Sequence, residues 1–389
     1  MRRQASLAVL FLIVFIDLLG FGMVIPVLPL YAKTLGASEA WVGLLSSGYS
    51  AMQFVFAPVW GRLSDRLGRR PVLLISIAMT AVAFALYGAA GSFGWLLVAR
   101  LFAGIATANI AIAQAYVADV TTPETRAKGM GLIGAAFGLG FVLGPAFGGL
   151  LSRWSLAAPS FAAAALAAGN LVAAAFVLGE PKERRPAAHG APARGLAALR
   201  AELVRPGVLA LIAVYFLSIA AFSAMENTYA FLATERFGLP AQQVFYLFAY
   251  IGVLVVAVQG GLIGPLARRF GEKRLLVAGL LLQAGALAAL PLASGLAGLL
   301  VATAPLAVGS GLTSPSLSAL LSRLARPEDQ GGTLGLGQSA AAFGRIVGPE
   351  AGTWTWSNLA PAVPYVGGAV LMALAAAVGA ALRPPPRET

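Results

Sequence analysis

Cysteine is absent from this chain of 389 residues, so disulfides and thiolate chemistry are excluded. Histidine occurs once, at His189, and a lone imidazole builds no metal site. Charge is scarce as well. Asp, Glu, Lys and Arg make up 11% of the residues, against about 25% in soluble proteins, which excludes a soluble globular chain. There is no Gly-x4-Gly-Lys-Ser/Thr stretch, no nucleophile-base set and no cluster of metal-ligating side chains. An enzyme or an ATP-driven pump is therefore disfavoured, no cofactor is expected, and the energy for any transport must come from an ion gradient or from the substrate's own.

What fills the chain instead is apolar, 59% of it. Apolar runs of roughly 20 residues, each long enough to cross a bilayer as a helix, recur along its whole length. Twelve fit: 5–32, 40–62, 71–91, 94–117, 128–151, 159–179, 207–233, 241–265, 273–292, 296–321, 332–353 and 361–382. The first begins after Met1-Arg2-Arg3 and continues through Asp17, Pro26 and Pro29, too long for a secretory signal. Trp41, Trp60, Trp95, Trp154, Trp354 and Trp356 all fall near proposed helix ends, where tryptophan meets the membrane interface.

A formal charge of +12 invites a nucleic-acid reading, and the placement of the charges decides against it. Of 27 Lys and Arg, 22 lie on the side that holds both termini, and only Lys33, Arg153 and Arg236 lie on the other. By the positive-inside rule both termini are cytoplasmic. The expectation is a multi-pass inner (plasma) membrane protein whose partners are the lipid bilayer, a small-molecule substrate and protons, with no nucleic acid and a monomeric state.

The chain repeats itself. The loop Gly61-Arg62-Leu63-Ser64-Asp65-Arg66-Leu67-Gly68-Arg69-Arg70 returns 203 residues later, so that Gly61 matches Gly264, Gly68 matches Gly271 and Arg70 matches Lys273. Pro123-Glu124 recurs as Pro327-Glu328 and Gly144-Pro145 as Gly348-Pro349, 204 residues on. Six helices per copy make these parallel repeats, with a substrate site expected between the halves near the midplane. The predicted fold is an all-α membrane protein of twelve transmembrane helices in two parallel six-helix repeats: an N-terminal bundle 1–179, a cytoplasmic linker 180–206 and a C-terminal bundle 207–389.

With these motifs in hand, the chain resembles the major facilitator superfamily, and within it the twelve-helix drug/proton antiporters that include the tetracycline efflux pumps. Leu19-Gly20 with Pro26-Val27-Leu28-Pro29 in the first helix, Arg100 with Gly104 in the fourth, and Gly131, Gly140, Gly144, Pro145, Gly148 and Gly149 in the fifth carry that resemblance beside the repeated loop. Glycines 140, 144 and 148 share one helix face and let a neighbour approach closely, while Pro145 removes a backbone hydrogen bond and bends the helix. The resemblance implies that Asp65 latches the outward-facing state against helix 11 with Asp119 in its charge network. Gly61, Arg66, Gly68, Arg69 and Arg70 complete that element. It also implies further acids in helices 3 and 9, where this chain has Ala83 and Gln283, so tetracycline itself is not the expected substrate.

Ionisable groups inside a membrane helix cost about 2.5 to 3.5 kcal/mol on insertion scales and usually serve function. Asp17 lies roughly 15 to 18 Å along its helix, near the midplane. Loss of water there favours the protonated carboxyl, which suits a reversible proton carrier, and the resemblance places an acid at this point. Glu226 is the second candidate. Tyr215, Phe222 and Tyr229 share its helical face, an aromatic stripe suited to a lipophilic cation. Arg100, Thr107 and Gln114 share a face of helix 4, and the resemblance links the arginine to proton transfer. Gln283, Gln338 and Arg345 complete the expected cavity; Arg345 is either the counter-ion of Asp17 or Glu226 or a contact for an acidic substrate group, and Glu350 is a packing or gate residue. One buried acid suffices for a proton, whereas sodium needs several converging oxygens. The function expected is thus proton-coupled export of small lipophilic molecules. A metabolite or sugar exporter of the same fold, and a non-transporting receptor or assembly factor, stand as alternatives.

Overall fold

The structure, a computed structural model, describes residues 2–107, 109–120, 123–180, 206–325 and 330–382. Side chains are described from residue 10 onward, apart from 109–111, 118, 120, 123–131, 137, 206, 330 and 331. His189 and nearly all of the 180–206 stretch lie outside these residues, as do the surroundings of Gly131. Helix is the only regular structure among the residues described.

Helix α1 (Arg2–Val24) passes through a 3-10 turn at Ile25–Val27 into α2 (Leu28–Thr34), a tightening where Pro26 and Pro29 withhold backbone N–H groups. Then come α3 (Glu39–Leu67), α4 (Arg69–Gly88), α5 (Phe93–Ala106), α6 (Asn109–Val120), α7 (Pro123–Leu151) and α8 (Ala158–Val177). The second series is α9 (Pro206–Phe231), α10 (Ala241–Ala257), α11 (Ile263–Phe270), α12 (Glu272–Ala289), α13 (Gly295–Leu324), α14 (Gln330–Asn358) and α15 (Val363–Ala381). A π-helical segment at Leu232–Arg236 extends α9, and another at Val258–Leu262 joins α10 to α11.

Among the described residues ten helices are long and apolar enough to cross a membrane. The two other expected spans fall short for different reasons. Helix 4 is broken, because α5 ends at Ala106, Thr107 leaves the helical region at ψ 77°, and α6 starts at Asn109. Helix α14 is 29 residues long, but Gln338, Arg345 and Glu350 interrupt its apolar character.

Close packing divides the chain into two units. One comprises Met1–Ser38, Gly48–Gly190 and Pro240–Tyr250; the other comprises Glu39–Ser47, Ala191–Leu239 and Ile251–Thr389. In the first, α1 packs on α7 and α8, and α4 packs on α8 and α5, around a core that includes Leu10, Ile13, Val14, Val72, Leu73, Ile77 and Tyr116. In the second, α9 packs on α14 and α15, and α12 packs on α13 and α15.

Lipid tails are as apolar as leucine, so close van der Waals contact rather than a hydrophobic drive holds such helices together. Glycine provides that contact on α7. A Cβ on Gly140 would lie 2.6 Å from the Leu18 Cβ, and one on Gly144 would lie 2.7 Å from the Gly22 Cα. One on Gly148 would lie 2.9 Å from the Met23 carbonyl, and one on Gly149 would lie 3.0 Å from the Phe245 Cβ. The second unit repeats the seam 204 residues on: Gly344, Gly348 and Gly352 of α14 press against Ala220 and Ala224 of α9.

The repeated loop is equally regular. Gly68 and Gly271, equivalent in sequence, both take positive φ, 112° and 79°, in the left-handed region that a side chain disfavours. Each stops one helix and starts the next within a single residue. Trp41, Trp95, Trp154 and Trp354 are exposed, as interface residues are, whereas Trp60 and Trp356 turn inward.

Candidate functional site

Within the first unit, Asp17 on α1 and Arg100 on α5 line one cavity with Phe21, Tyr49, Thr80 and Thr107. Its volume is about 30 Å³, room for a water molecule or two. Both charged groups are buried, Asp17 at 9% exposure and Arg100 at 4%. The Arg100 guanidinium lies 4.4 Å above the centre of the Tyr49 ring, an arrangement worth about 2 kcal/mol when desolvated. The Tyr49 hydroxyl donates to Thr107 Oγ1 at 3.1 Å, and Thr107 donates in turn to the Ala103 carbonyl at 2.7 Å. Gly104 lets α3 approach at this level, since a Cβ there would collide with the Tyr49 carbonyl.

The break at Thr107 belongs to the site. A helix that stops leaves its last carbonyls without partners, and here other helices supply them. The Trp60 indole N–H donates to the Ile105 carbonyl at 2.6 Å, and the Ser76 hydroxyl donates to the Ala106 carbonyl at 2.6 Å. Past the break, Gln114 is exposed, so the face shared with Arg100 and Thr107 on an unbroken helix is divided.

Beside the turn at Gly68 lies a charge network centred on Arg69, whose side chain is 4% exposed. Its Nε donates to Asp119 Oδ2 at 2.9 Å and its Nη1 to Ser64 Oγ at 2.7 Å. Asp65 makes an ion pair with Nη1 at 2.6 Å without hydrogen-bond alignment. Glu180, which sequence reasoning missed, accepts from the backbone N–H groups of Arg69 and Arg70 at 2.8 and 3.0 Å. It caps the positive start of α4 from 110 residues away. Arg70 reaches back to the Ala175 carbonyl at 2.7 Å, Arg66 is exposed and Gly61 is half-buried.

In the second unit the aromatic stripe around Glu226 separates by burial. Tyr229 is fully buried and shares a hydrogen bond with Thr303 at 2.7 Å, and Tyr215 does the same with Ser318 at 2.7 Å. Phe222 and Glu226 are half-buried. Gln283 sits in the seam of α12 and α13 at 3% exposure, donating to Thr313 Oγ1 at 2.9 Å. Arg345 is half-buried and Gln338 exposed on α14. The first turns of α3 rest on α9 and α14: Ser46 donates to Asn227 Oδ1 at 2.6 Å and Ser47 to the Ile346 carbonyl at 2.5 Å. Pro349 and Glu350 pack against Gly43 there.

Sequence reasoning missed Tyr49, Thr80, Trp60 and Ser76. The available signal was the polar run Ser46, Ser47, Tyr49 and Ser50 in an apolar helix.

A sequence profile of the Major Facilitator Superfamily matches residues 10–349 and again 254–389. The chain is 35% identical over 375 residues to the tetracycline resistance protein, class C, of Escherichia coli, covering 92% of this chain and 93% of that one. It is 29% identical to multidrug resistance protein 2 of Bacillus subtilis, across 87% of this chain and 86% of the relative. Among solved structures, the human organic anion transporter MFSD10 superimposes with a TM-score of 0.72 at 28% identity, covering 97% of this chain and 99% of that one. The chain belongs to the Major Facilitator Superfamily and is a multi-pass membrane transporter of small molecules, not an enzyme.

Proposed function

We propose that this transporter is a proton-coupled antiporter that exports small lipophilic molecules by alternating access. The observation that carries the proposal is the cavity shared by Asp17 and Arg100, two buried ionisable groups around a space that holds a water molecule or two. A carboxyl group there serves a proton, and the guanidinium stabilises the carboxylate once the proton leaves. Ala83 lines the same cavity, and among the described residues Asp17 is its only acid. Glu226, half-buried beside Phe222, is the second candidate for proton exchange. Gln114, Gln338 and Arg345, exposed or half-buried, are the polar groups offered to substrate, whereas Tyr215, Tyr229, Thr107 and Gln283 fix helix positions.

The Asp65–Arg69–Asp119 network is proposed as the conformational latch, and the α7 glycines as the helix that sets exchange over symport. The placement of Lys and Arg supports an inner-membrane orientation with both termini cytoplasmic; a monomeric state and a proton gradient as the sole energy source are part of the same proposal. The names of the tetracycline and multidrug resistance relatives favour drug efflux. A second reading is export of amphiphilic organic anions. It is favoured by the half-buried Arg345 and by the likeness to a human organic anion transporter.

The test is proton release from acid-loaded proteoliposomes, read by an internal pH dye, while lipophilic cations, neutral antibiotics and organic anions are added in turn. Substrate-dependent alkalinisation that disappears in Asp17→Asn establishes exchange and its carrier, and the same loss in Glu226→Gln assigns the second acid. Uptake of labelled substrate without any pH change in the unaltered protein refutes coupling.

A further inference from the structure

The two copies of the repeated loop share a backbone and differ in charge. In the first, Arg62, Arg66, Arg69 and Arg70 stand against three acids, Asp65, Asp119 and Glu180, and the acids are engaged by Arg69 and the start of α4. In the second, Arg268 occupies the position of Asp65 and Arg323 that of Asp119. Among the described residues of this copy five cations, Arg268, Arg269, Lys273, Arg274 and Arg323, then stand against Glu272, which Arg323 engages at 3.1 Å. The charge relay of the first copy has become a basic patch, and Arg268, Arg269 and Arg274 are exposed.

The helix that carries the patch is also unlike its counterpart. Residues 55–67 continue α3 as regular helix, whereas in the second copy a π-helical segment, Val258–Leu262, precedes a separate α11. An extra residue per turn rotates the succeeding helix about its axis. On α11, Ile263, Leu266, Ala267 and Phe270 fall on one side and Arg268 and Arg269 on the other. No residue of α11 is buried by the protein, and Leu262 and Phe270 are exposed at 54% and 40%. The spans Ala241–Phe270 and Glu272–Leu292 meet here, so the patch lies where the chain leaves and re-enters the bilayer. On the apolar side Ile263, Leu266 and Ala267 are half-buried and Phe270 is exposed; the part of that face which the protein does not cover meets lipid at this depth, and the exposed cationic side beside it meets headgroups. Charge placed only to orient the chain would need neither the exchange of two acids for arginines nor a segregated helix.

We infer that α11, with Lys273 and Arg274, binds the phosphate of an anionic phospholipid headgroup. The acyl chains lie along Ile263, Leu266 and Phe270, and Arg268, Arg269 and Arg274 supply the charge.

Full-length protein purified in mild detergent would be offered dioleoylphosphatidylglycerol or dioleoylphosphatidylcholine, with retained lipid read by native mass spectrometry and thermal unfolding followed in parallel. Phosphatidylglycerol is expected to be retained in preference, with affinity falling roughly fivefold for each arginine removed in the Arg268→Gln, Arg269→Gln, Arg274→Gln triple variant. The same three positions changed to lysine should keep it, which separates charge from folding. Arg62→Gln, an exposed arginine of the first copy, should change nothing. Equal retention of the two lipids, undiminished phosphatidylglycerol in the triple glutamine variant, or an equal loss in Arg62→Gln would each overturn the assignment. None of these readings depends on transport.

Discussion

Replacing Arg69 by glutamine should destabilise the protein far more than replacing Arg323, although the two lie in equivalent loops. Arg69 and Asp119 are 4% and 2% exposed and meet at 2.9 Å. Without the guanidinium, the Asp119 carboxylate stays buried with its principal partner gone, a loss of about 3 to 5 kcal/mol. Asp65, at 34% exposure, turns to water and adds little. Arg323 and Glu272, at 48% and 25% exposure, make a surface pair worth about 0 to 1 kcal/mol. A domain of this size shifts its midpoint by roughly 2 to 4 °C per kcal/mol. Arg69→Gln should therefore lower the unfolding temperature in detergent by about 6 °C or more, and Arg323→Gln by no more than about 4 °C. The double change Arg69→Leu with Asp119→Leu should recover much of the loss, because it removes both charges together. Similar shifts for the two single variants, or a double variant no more stable than Arg69→Gln, would show that burial does not govern this network.

Gly144→Ala places a methyl group 2.7 Å from the Gly22 Cα and should cost about 1 to 3 kcal/mol by overpacking. Gly134→Ala, with nothing within 4 Å, should be neutral or slightly stabilising in the same melting assay. Glu180→Ala uncaps α4 and should cost about 1 kcal/mol, with faster amide exchange at Arg69 and Arg70 as its local signature. Trp60→Phe leaves the Ile105 carbonyl without its donor and should cost about 1 to 3 kcal/mol; an unchanged melting point would mean that the break in helix 4 is satisfied by other means.

The repeats, the helix seams and the charged loop were legible because they depend on local chemistry that recurs at a fixed offset. Gly140, Gly144 and Gly148 announce a close approach by their spacing alone, and Gly68 announces a turn by its place between Leu67 and Arg69. The break at Thr107 was not legible. Thr107 and Asn109 are ordinary in an apolar run, and the groups that make the break tolerable, Trp60 and Ser76, stand 45 and 30 residues from the carbonyls they satisfy. Glu180 was hidden for the same reason, since a cap contributed from 110 residues away leaves no mark in local sequence. The stripe on helix 7 was seen as a surface, but periodicity says only that residues share a face. It does not say which of them, Tyr215 and Tyr229 in this case, the neighbouring α13 will cover.

The glycine seam between α1 and α7 has a mechanical consequence. Asp17 precedes Leu18, whose Cβ lies only 2.6 Å from where a side chain on Gly140 would begin, and the contact continues through Gly22 and Met23. Two helices in contact at Gly140, Gly144 and Gly148 have little side-chain volume between them to absorb a displacement by changing rotamer. A tilt of α7 should therefore carry the neighbouring turn of α1 along, and with it Asp17.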